Sequence, residues 1–283
     1  MTGVQTCALP ISDGDAPAPH LRPDLSYGAY LRLDQILSAQ APRSDQHDEL
    51  LFIVIHQASE LWMKLSLHEL SAARAHIVAD DLGPALKMIA RVSRIQAQMI
   101  QSWDVLATLT PSEYSRIRPF LGQSSGFQSY QYRLLDFILG AKDRGHLRVH
   151  EPDRAVHAAL TAMLEAPSLY DEALRLLACR GYAIPADHLE RDWSGPYVAS
   201  EAVEAAWLAI YRDPQGAWDL YELAEKLVDL EYRFQQWRFC HLKTVERIVG
   251  YKPGTGGSGG VSYLVKALDA SFFPELLKVR TNL

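Results

Sequence analysis

Residues 51–65 read LFIVIHQASELWMKL, and this stretch is the clearest indication of how the chain folds. Its apolar side chains recur at the three- and four-residue spacing of a helix, and the pattern continues far enough to predict one long helix over about residues 48–79. On such a helix Phe52 and His56 lie on the same face, one turn apart. A histidine therefore stands beside an aromatic ring in a segment that is otherwise apolar.

Helical periodicity also dominates the rest of the chain, and no stretch alternates convincingly between apolar and polar residues as a strand would. Prolines and glycines separate the predicted helices. These helices cover about residues 27–39, 82–107, 129–139, 200–213, 216–249 and 261–268, with one more that begins after Thr110 and several shorter ones between Arg144 and Trp193. We therefore predict an all-α protein, with a single large helical domain and a smaller helical subdomain in the middle of the chain.

The N-terminus differs from the rest of the chain. Residues 13–24 are rich in proline and aspartate, and residues 1–11, MTGVQTCALPI, lack the basic start of a signal peptide. These first eleven residues look like the translation of a sequencing-library adapter, and an ordinary disordered tail is the alternative. We expect residues 1–24 to be disordered or partly artefactual, and residues 25–283 to form the functional domain.

Composition narrows the classes of function. The chain carries 28 Lys and Arg against 34 Asp and Glu, so no basic excess is available to neutralise phosphates and we expect no nucleic-acid partner. No uninterrupted apolar run approaches the roughly 18–20 residues that cross a bilayer, so we expect no membrane insertion. The three cysteines lie far apart without a CxxC pair, which favours a reducing, cytoplasmic location.

Two histidines are candidate functional residues. His241 shares its helical face with apolar residues, which makes an apolar slot around one imidazole, as a haem pocket with a single axial ligand needs. Those neighbours are Phe234, Trp237, Val245 and Ile248. For His241 the alternative is plain core packing, and for His56 it is a core histidine satisfied by a hydrogen bond. No HExxH motif and no cluster of donors at ligand spacing supports a zinc site.

Tyr114 and Arg118 form a second candidate site. They lie four residues apart on the helix that Thr110 begins, so their side chains project together. A guanidinium with a phenol beside it suits the binding of a carboxylate. A surface arginine with a tyrosine stacked along it is an equally good reading of this spacing.

A glycine-rich loop, GTGGSGG at 254–260, follows the helix of His241. It is not a P-loop, because no Gly-Lys-Ser/Thr ends it and no strand precedes it. Its glycine density lets the backbone approach a ligand closely. A plain linker is the alternative.

Taken together, four segments of the chain resemble the tryptophan 2,3-dioxygenase family, with a close match to the bacterial members. They read YGAYLRLDQIL at 27–37, LLFIVIHQASELWMKL at 50–65, TPSEYSRIRPFLGQSSGFQSYQYR at 110–133 and WRFCHLKTVERIVGYKPGTGGSGGVSYL at 237–264. They occur in the family's order and at similar spacing. The resemblance covers nearly the whole chain, from about Leu25 to the C-terminus.

The resemblance implies an activity, a cofactor and an assembly. Family members open the indole ring of L-tryptophan with O2 by inserting both oxygen atoms across the C2–C3 bond, which gives N-formyl-L-kynurenine and begins the kynurenine pathway. The family also implies a homotetramer with one haem b per subunit, ferrous for activity.

The resemblance assigns roles to individual residues. His241 matches the axial ligand of the haem iron, and Ser125 and Gly126 match the segment that lies over the opposite haem face. His56 matches the catalytic-site histidine that hydrogen-bonds the indole N–H. The other matches are Phe52 against the indole ring, Tyr114 and Arg118 at the substrate carboxylate, Thr255 at the ammonium side, and Tyr27, Tyr30 and Leu31 from an element lent to the neighbouring subunit.

One position departs from the family pattern, because Gly259 stands where the family's loop has a second serine, and this removes no expected ligand.

The sequence leaves three other functions open. A related haem-dependent hydroxylase of an aromatic amino acid would show a different distal set. A non-catalytic haem sensor would not need the full carboxylate and ammonium contacts, and a helical interaction module would bind no haem.

Overall fold

The computed structural model describes residues 26–257 and 259–283, which form two units, residues 26–43 and residues 44–283. Every regular element in these ranges is helical, which confirms the predicted all-α class. The expectations for residues 1–24 lie outside the described residues. The α-helices are α1 (Tyr27–Leu31), α2 (Leu33–Ile36), α3 (Glu49–Val78), α4 (Leu82–Leu106), α5 (Pro111–Ile117), α6 (Tyr130–Leu139), α7 (Arg154–Glu165), α8 (Leu169–Cys179), α9 (Ala186–Leu189), α10 (Glu201–Arg212), α11 (Trp218–Ile248), α12 (Val261–Leu268) and α13 (Pro274–Lys278).

In the first unit, the prediction of a single helix over residues 27–39 is wrong. Arg32 adopts the left-handed conformation, with φ 53° and ψ 43°, and separates α1 from α2. Beyond α2, the Ser38 hydroxyl donates a hydrogen bond to the carbonyl of Asp34, so this side chain satisfies a carbonyl that a longer helix would use. Neither short helix buries a residue, so no packing compensates for the break.

The second unit is built on three long helices, α3, α4 and α11. Helix α4 packs against both of the others. The bounds of all three agree with the sequence predictions to within two residues. Their core contains completely buried side chains from each helix, including Leu70 on α3, Ile89 on α4 and Leu227 on α11. Burial of apolar stripes on long amphipathic helices is therefore what holds this frame together.

Local signals in the sequence set two helix ends near the candidate site. The Thr110 hydroxyl accepts from the backbone N–H of Glu113 while the Glu113 carboxylate accepts from that of Thr110, and Pro111 is the first helical residue of α5. This arrangement is a capping box with proline at the first helical position, and it confirms the helix predicted to begin after Thr110. Gly140, with φ 114°, ends α6 as predicted. The short helix α13, which the sequence analysis did not predict, spans only five residues, too few to show a period.

A buried ionic group ties the helices together beside α11. Arg238 donates to the carbonyl oxygen of Ala267 in the last turn of α12 at 3.2 Å and to that of Ala270 just past its end at 2.9 Å. It also donates to the carboxylate of Asp136 on α6 at 3.4 Å. Arg133 donates to the same carboxylate at 2.9 Å. Because buried charges are costly unless paired, this group holds α6, α11 and α12 in one arrangement.

Helix α3 is long and apolar enough, by length and composition, to cross a membrane. Its apolar stretch is interrupted by Glu60 and Lys64, so it is not the uninterrupted run that the sequence prediction required. Core helices of soluble proteins share this length and composition, and α3 packs against α4, α6 and α8. The absence of membrane insertion stays a prediction.

Candidate active site

Two histidines from different long helices lie near each other inside the second unit, His56 on α3 and His241 on α11. Burial is the main cause that lowers the pKa of His241 to about 4, and the positive charge of a protonated His56 contributes. Burial also lowers the pKa of His56, against smaller opposing effects of the Phe52 carbonyl and Glu60. Both rings are therefore neutral at neutral pH, the form in which imidazole can ligate a metal.

The hydrogen bonding of His56 defines which of its ring nitrogens carries the proton. Nδ1 lies 2.7 Å from the carbonyl oxygen of Phe52, one helical turn earlier. A carbonyl oxygen can only accept, so Nδ1 donates and the other ring nitrogen, Nε2, is left as an acceptor. The neutral His56 can therefore accept a hydrogen bond from an N–H group of a ligand.

Aromatic rings surround the imidazole of His241. The indole of Trp103, on α4, stacks on it with ring centroids 4.7 Å apart and planes 7° from parallel. Trp237, one turn earlier on α11, lies 5.4 Å from it. The apolar slot predicted around His241 is confirmed at Trp237, and Trp103 completes it.

The predicted carboxylate-binding pair lies next to the ring beside His56, but only Tyr114 is on α5, because the α-helix ends at Ile117 and Arg118 begins a short 3-10 helix. The rings of Tyr114 and Phe52 are 6.2 Å apart. Burial raises the pKa of Tyr114, while the nearby charge of Arg118 opposes that rise. The Nη2 atom of Arg118 donates to the carbonyl of Pro253 at 2.7 Å, whereas Nη1 is buried and has no hydrogen-bond partner among the described residues. One arm of the guanidinium thus holds the loop and the other is open to an anion.

The glycine-rich loop lies against the segment before α6. The Thr255 hydroxyl donates to the carbonyl of Ser124. A Cβ atom on Gly256 would lie 2.7 Å from the Cβ of Ser125, so the close approach of the two segments requires glycine there. Gly126 begins a short 3-10 helix that Ser125 caps. Thr255, Ser125 and Gly126, predicted from separate motifs, thus lie close together.

Two cavities border Arg118. The larger, of about 530 Å³, is lined by Arg118, Lys252 and Thr255 among others, and the smaller, of about 210 Å³, by Arg118, Tyr114 and Arg247 among others. Neither is lined by either candidate histidine. They form the approach to the guanidinium from solvent and not the space between the histidines.

Three predicted substrate contacts lie in the first unit. Tyr27 and Tyr30 on α1 are 77% and 80% exposed, and Leu31 is 36% exposed. Such exposure of three large apolar side chains on one short helix is consistent with a role in another subunit. That role stays a prediction.

The residues around His241 fit a haem. In the described part of the chain, no group of three or more His, Cys, Asp or Glu is arranged to hold a metal ion, so a single imidazole suits iron whose other ligands come from a porphyrin. The indole Nε1 atoms of Trp103 and Trp237 are buried without a hydrogen-bond partner among the described residues. Buried donors of this kind need an acceptor, which a bound group would supply.

Sequence reasoning missed three contributors to this site. Trp103 lies on an amphipathic helix, where one aromatic residue cannot be told from ordinary core. The carbonyls of Pro253 and Ser124 act through the backbone, for which the sequence carries no residue-type signal. The only indication in the sequence was the abundance of glycine in the loop, which predicts a close approach of its backbone to another group.

The fold and site define an all-helical protein with two partly buried, neutral histidines and a nearby arginine that can bind an anion. A family model described as tryptophan 2,3-dioxygenase matches residues 15–283. The tryptophan 2,3-dioxygenase of Polaromonas sp. (strain JS666) is 62% identical over 92% of this chain and 88% of its own length. That of Erythrobacter litoralis is 62% identical over 91% of this chain and 98% of its own. The chain belongs to the tryptophan 2,3-dioxygenase family.

Proposed function

We propose that this chain is a haem-dependent dioxygenase that cleaves the indole C2–C3 bond of L-tryptophan with O2 and produces N-formyl-L-kynurenine, the first step of tryptophan catabolism through the kynurenine pathway. Membership of the family, at about 62% identity over most of the chain, supports the activity. The observation in the site that carries the proposal is the open, buried Nη1 of Arg118 beside Tyr114 and Phe52. An amino acid with an aromatic side chain suits both the guanidinium and the rings.

The cofactor of the proposed enzyme is haem b, with His241 as its axial ligand. When bound, the haem would supply the iron chemistry that activates O2. Ser125 and Gly126 are proposed to line the opposite haem face. Burial keeps His241 neutral and therefore able to ligate iron.

The protein's own residues are proposed to bind and orient L-tryptophan. Arg118 takes the carboxylate on its open arm, with Tyr114 beside it, and Thr255 meets the ammonium side. Phe52 packs on the indole, and Nε2 of His56 accepts the hydrogen bond of the indole N–H. Placing the substrate in a fixed orientation next to bound O2 accounts for much of the rate that a protein adds in such a reaction.

The assembly and location of the enzyme are also proposals. We propose a homotetramer in which Tyr27, Tyr30 and Leu31 complete the substrate pocket of a neighbouring subunit. We further propose a cytoplasmic enzyme without membrane or nucleic-acid partners. The net charge of −6 and the separated cysteines support this location and partner set.

Direct assay distinguishes this function from the alternatives. The purified protein is reduced without oxygen, then L-tryptophan and O2 are added and the absorbance of formylkynurenine is followed. We expect this product in proportion to haem content. A hydroxylated amino acid would indicate the related hydroxylase, haem without product would indicate a sensor, and the absence of a Soret band would indicate a helical interaction module.

We predict that His56 orients the substrate and does not serve as an obligatory base. An indole N–H is a very weak acid, and burial lowers the pKa of His56 further below the value that would match it. Replacing His56 by alanine should therefore lower kcat/KM by only about 5-fold, the worth of one hydrogen bond. With 1-methyltryptophan, which has no N–H to donate, the variant should lose less activity than with L-tryptophan.

The exposed His68, three turns further along α3, provides the matched control. His68→Ala should leave kcat/KM unchanged for both substrates. A loss of about 10⁴-fold in His56→Ala would contradict the orienting role, because that size of effect belongs to a required acid or base.

We also predict that the hydroxyl of Thr255 holds the loop of residues 251–257 in place. In Thr255→Val this hydroxyl, which donates to the carbonyl of Ser124, is lost while the shape is kept. Hydrogen exchange of residues 251–257 in the enzyme saturated with L-tryptophan should become roughly 5-fold faster, as expected for one lost hydrogen bond. Thr255→Ser keeps the hydroxyl and should exchange like the wild type, and equal exchange in all three proteins would refute the prediction.

A further inference from the structure

The imidazole of His241 has no hydrogen bond to a protein group in the described part of the chain. In most sites where a histidine binds a metal, the second ring nitrogen donates to a carboxylate, a carbonyl or a water, and this bond fixes the rotation of the ring. Across residues 26–257 and 259–283, no protein group hydrogen-bonds either nitrogen of His241. Among the protein's own groups, packing contacts are therefore what can limit the rotation of this ring.

The closest ring contact of His241 is the indole of Trp103. The two rings are nearly parallel, 7° apart, with centroids at 4.7 Å. A contact between flat faces resists rotation of the imidazole about its bond to a metal, since turning either ring brings its edge into the other. Trp103 comes from α4 and His241 from α11, so the contact is held by the packing of two long helices.

Trp237, the second tryptophan that contacts His241, packs against further groups of the protein. Trp237 lies 5.6 Å from Trp103 and 5.4 Å from His241, and it stacks on Tyr132 at 5.3 Å. Arg238 donates to the Tyr132 hydroxyl at 3.4 Å, which ties this ring to the buried ionic group beside α11. Trp237 cannot shift without disturbing Tyr132, and it also contacts Trp103.

We infer that Trp103 is a positioning residue that sets the rotational orientation of the His241 imidazole by stacking on it, in place of a hydrogen bond, with Trp237 as its support. The inference rests on the proposed role of His241 as axial haem ligand. The orientation of an axial imidazole determines how its orbitals meet those of the iron, so it affects the strength of the iron–histidine bond.

Three variants test the inference in the haem-loaded protein. Trp103→Leu removes the flat face, Trp103→Phe keeps a smaller one, and Trp207→Phe is the matched control. Trp207 is a fully buried tryptophan of α10 that contacts Tyr170. Within the described ranges it has no ring contact or hydrogen bond with Trp103, Trp237 or His241. The readouts are the iron–histidine stretching band in the resonance Raman spectrum of the ferrous, substrate-free protein and the rate of haem transfer to excess apomyoglobin.

We expect Trp103→Leu to shift and broaden the iron–histidine band and to release haem roughly 3- to 10-fold faster, which is the worth of one aromatic contact. Trp103→Phe should lie between this variant and the wild type. Trp207→Phe should lower the thermal stability but leave the band where it is. An unchanged band in Trp103→Leu, or the same change in Trp207→Phe, would overturn the inference.

The same measurements distinguish failure of the positioning role of Trp103 from failure of the proposed function. If the wild-type protein showed no iron–histidine band, the assignment of His241 as ligand would fail. If the wild type showed the band and turned over L-tryptophan while the Trp103 variants kept the same band, only the positioning role would fail.

Discussion

Replacing His241 by alanine should leave the protein almost without bound haem. In the described chain, no other His, Cys, Asp or Glu cluster is arranged to take over a metal. Loss of a residue that only supports a metal ligand costs roughly 10- to 100-fold in affinity, so loss of the ligand itself should cost more. The expected result is a collapse of the Soret absorbance per mole of protein, with the helical circular dichroism retained.

Two comparisons make this result specific. Added imidazole should restore part of the Soret band in the alanine variant, because a free imidazole fits the vacated volume beside Trp103. His68→Ala removes an exposed histidine from α3 and should keep the full haem content. A His241→Ala protein with the haem content and spectrum of the wild type would show that another residue holds the iron.

Replacing Arg118 by alanine should lower kcat/KM for L-tryptophan by on the order of 30-fold or more, with haem retained. Truncating one partner of a buried charge pair costs about 2–5 kcal/mol, and the guanidinium also anchors the loop through the Pro253 carbonyl. Lysine should rescue poorly, because one ammonium cannot reproduce a planar group that uses one arm for the loop and the other for a carboxylate.

The controls separate the carboxylate contact from a general loss of charge. Arg116 is exposed and lies two residues earlier on α5, so Arg116→Ala should leave kcat/KM unchanged. Tryptamine, which lacks the carboxylate, should be a poor substrate of the wild type, and Arg118→Ala should lower its kcat/KM by a smaller factor than that of L-tryptophan. If the wild type turned over tryptamine as well as L-tryptophan, Arg118 would not bind the carboxylate.

Much of the helical frame was predictable because its signals are local. The bounds of α3, α4 and α11 follow from apolar side chains at helical spacing, whereas Thr110 and Pro111 indicate the start of α5 and Gly140 indicates the end of α6. These features depend on residues within one or two turns of each other. The single helix expected over residues 27–39 failed because the left-handed Arg32 has no residue-type signal.

The candidate residues themselves were found from the sequence, since the motifs around His56, Arg118 and His241 resemble one family throughout. The sequence could not predict which of these groups already form hydrogen bonds within the protein and which are left to bind a ligand. The tautomer of His56 follows from the position of a backbone carbonyl relative to a ring nitrogen. No residue type encodes that distance, because it depends on the rotamer that the surrounding packing allows.

Contacts between distant parts of the chain were decided by the tertiary structure alone. Arg118 donates a hydrogen bond to the carbonyl of Pro253, which lies 135 positions further along the chain. Trp103 stacks on His241 only because α4 packs against α11. Periodicity tells which face of a helix is buried but not which residue of another helix lies against it, since many partners satisfy the same apolar stripe. The sequence by itself therefore determined the helices and the chemical groups of the site, whereas helix packing decided which arm of Arg118 is open and which ring holds His241.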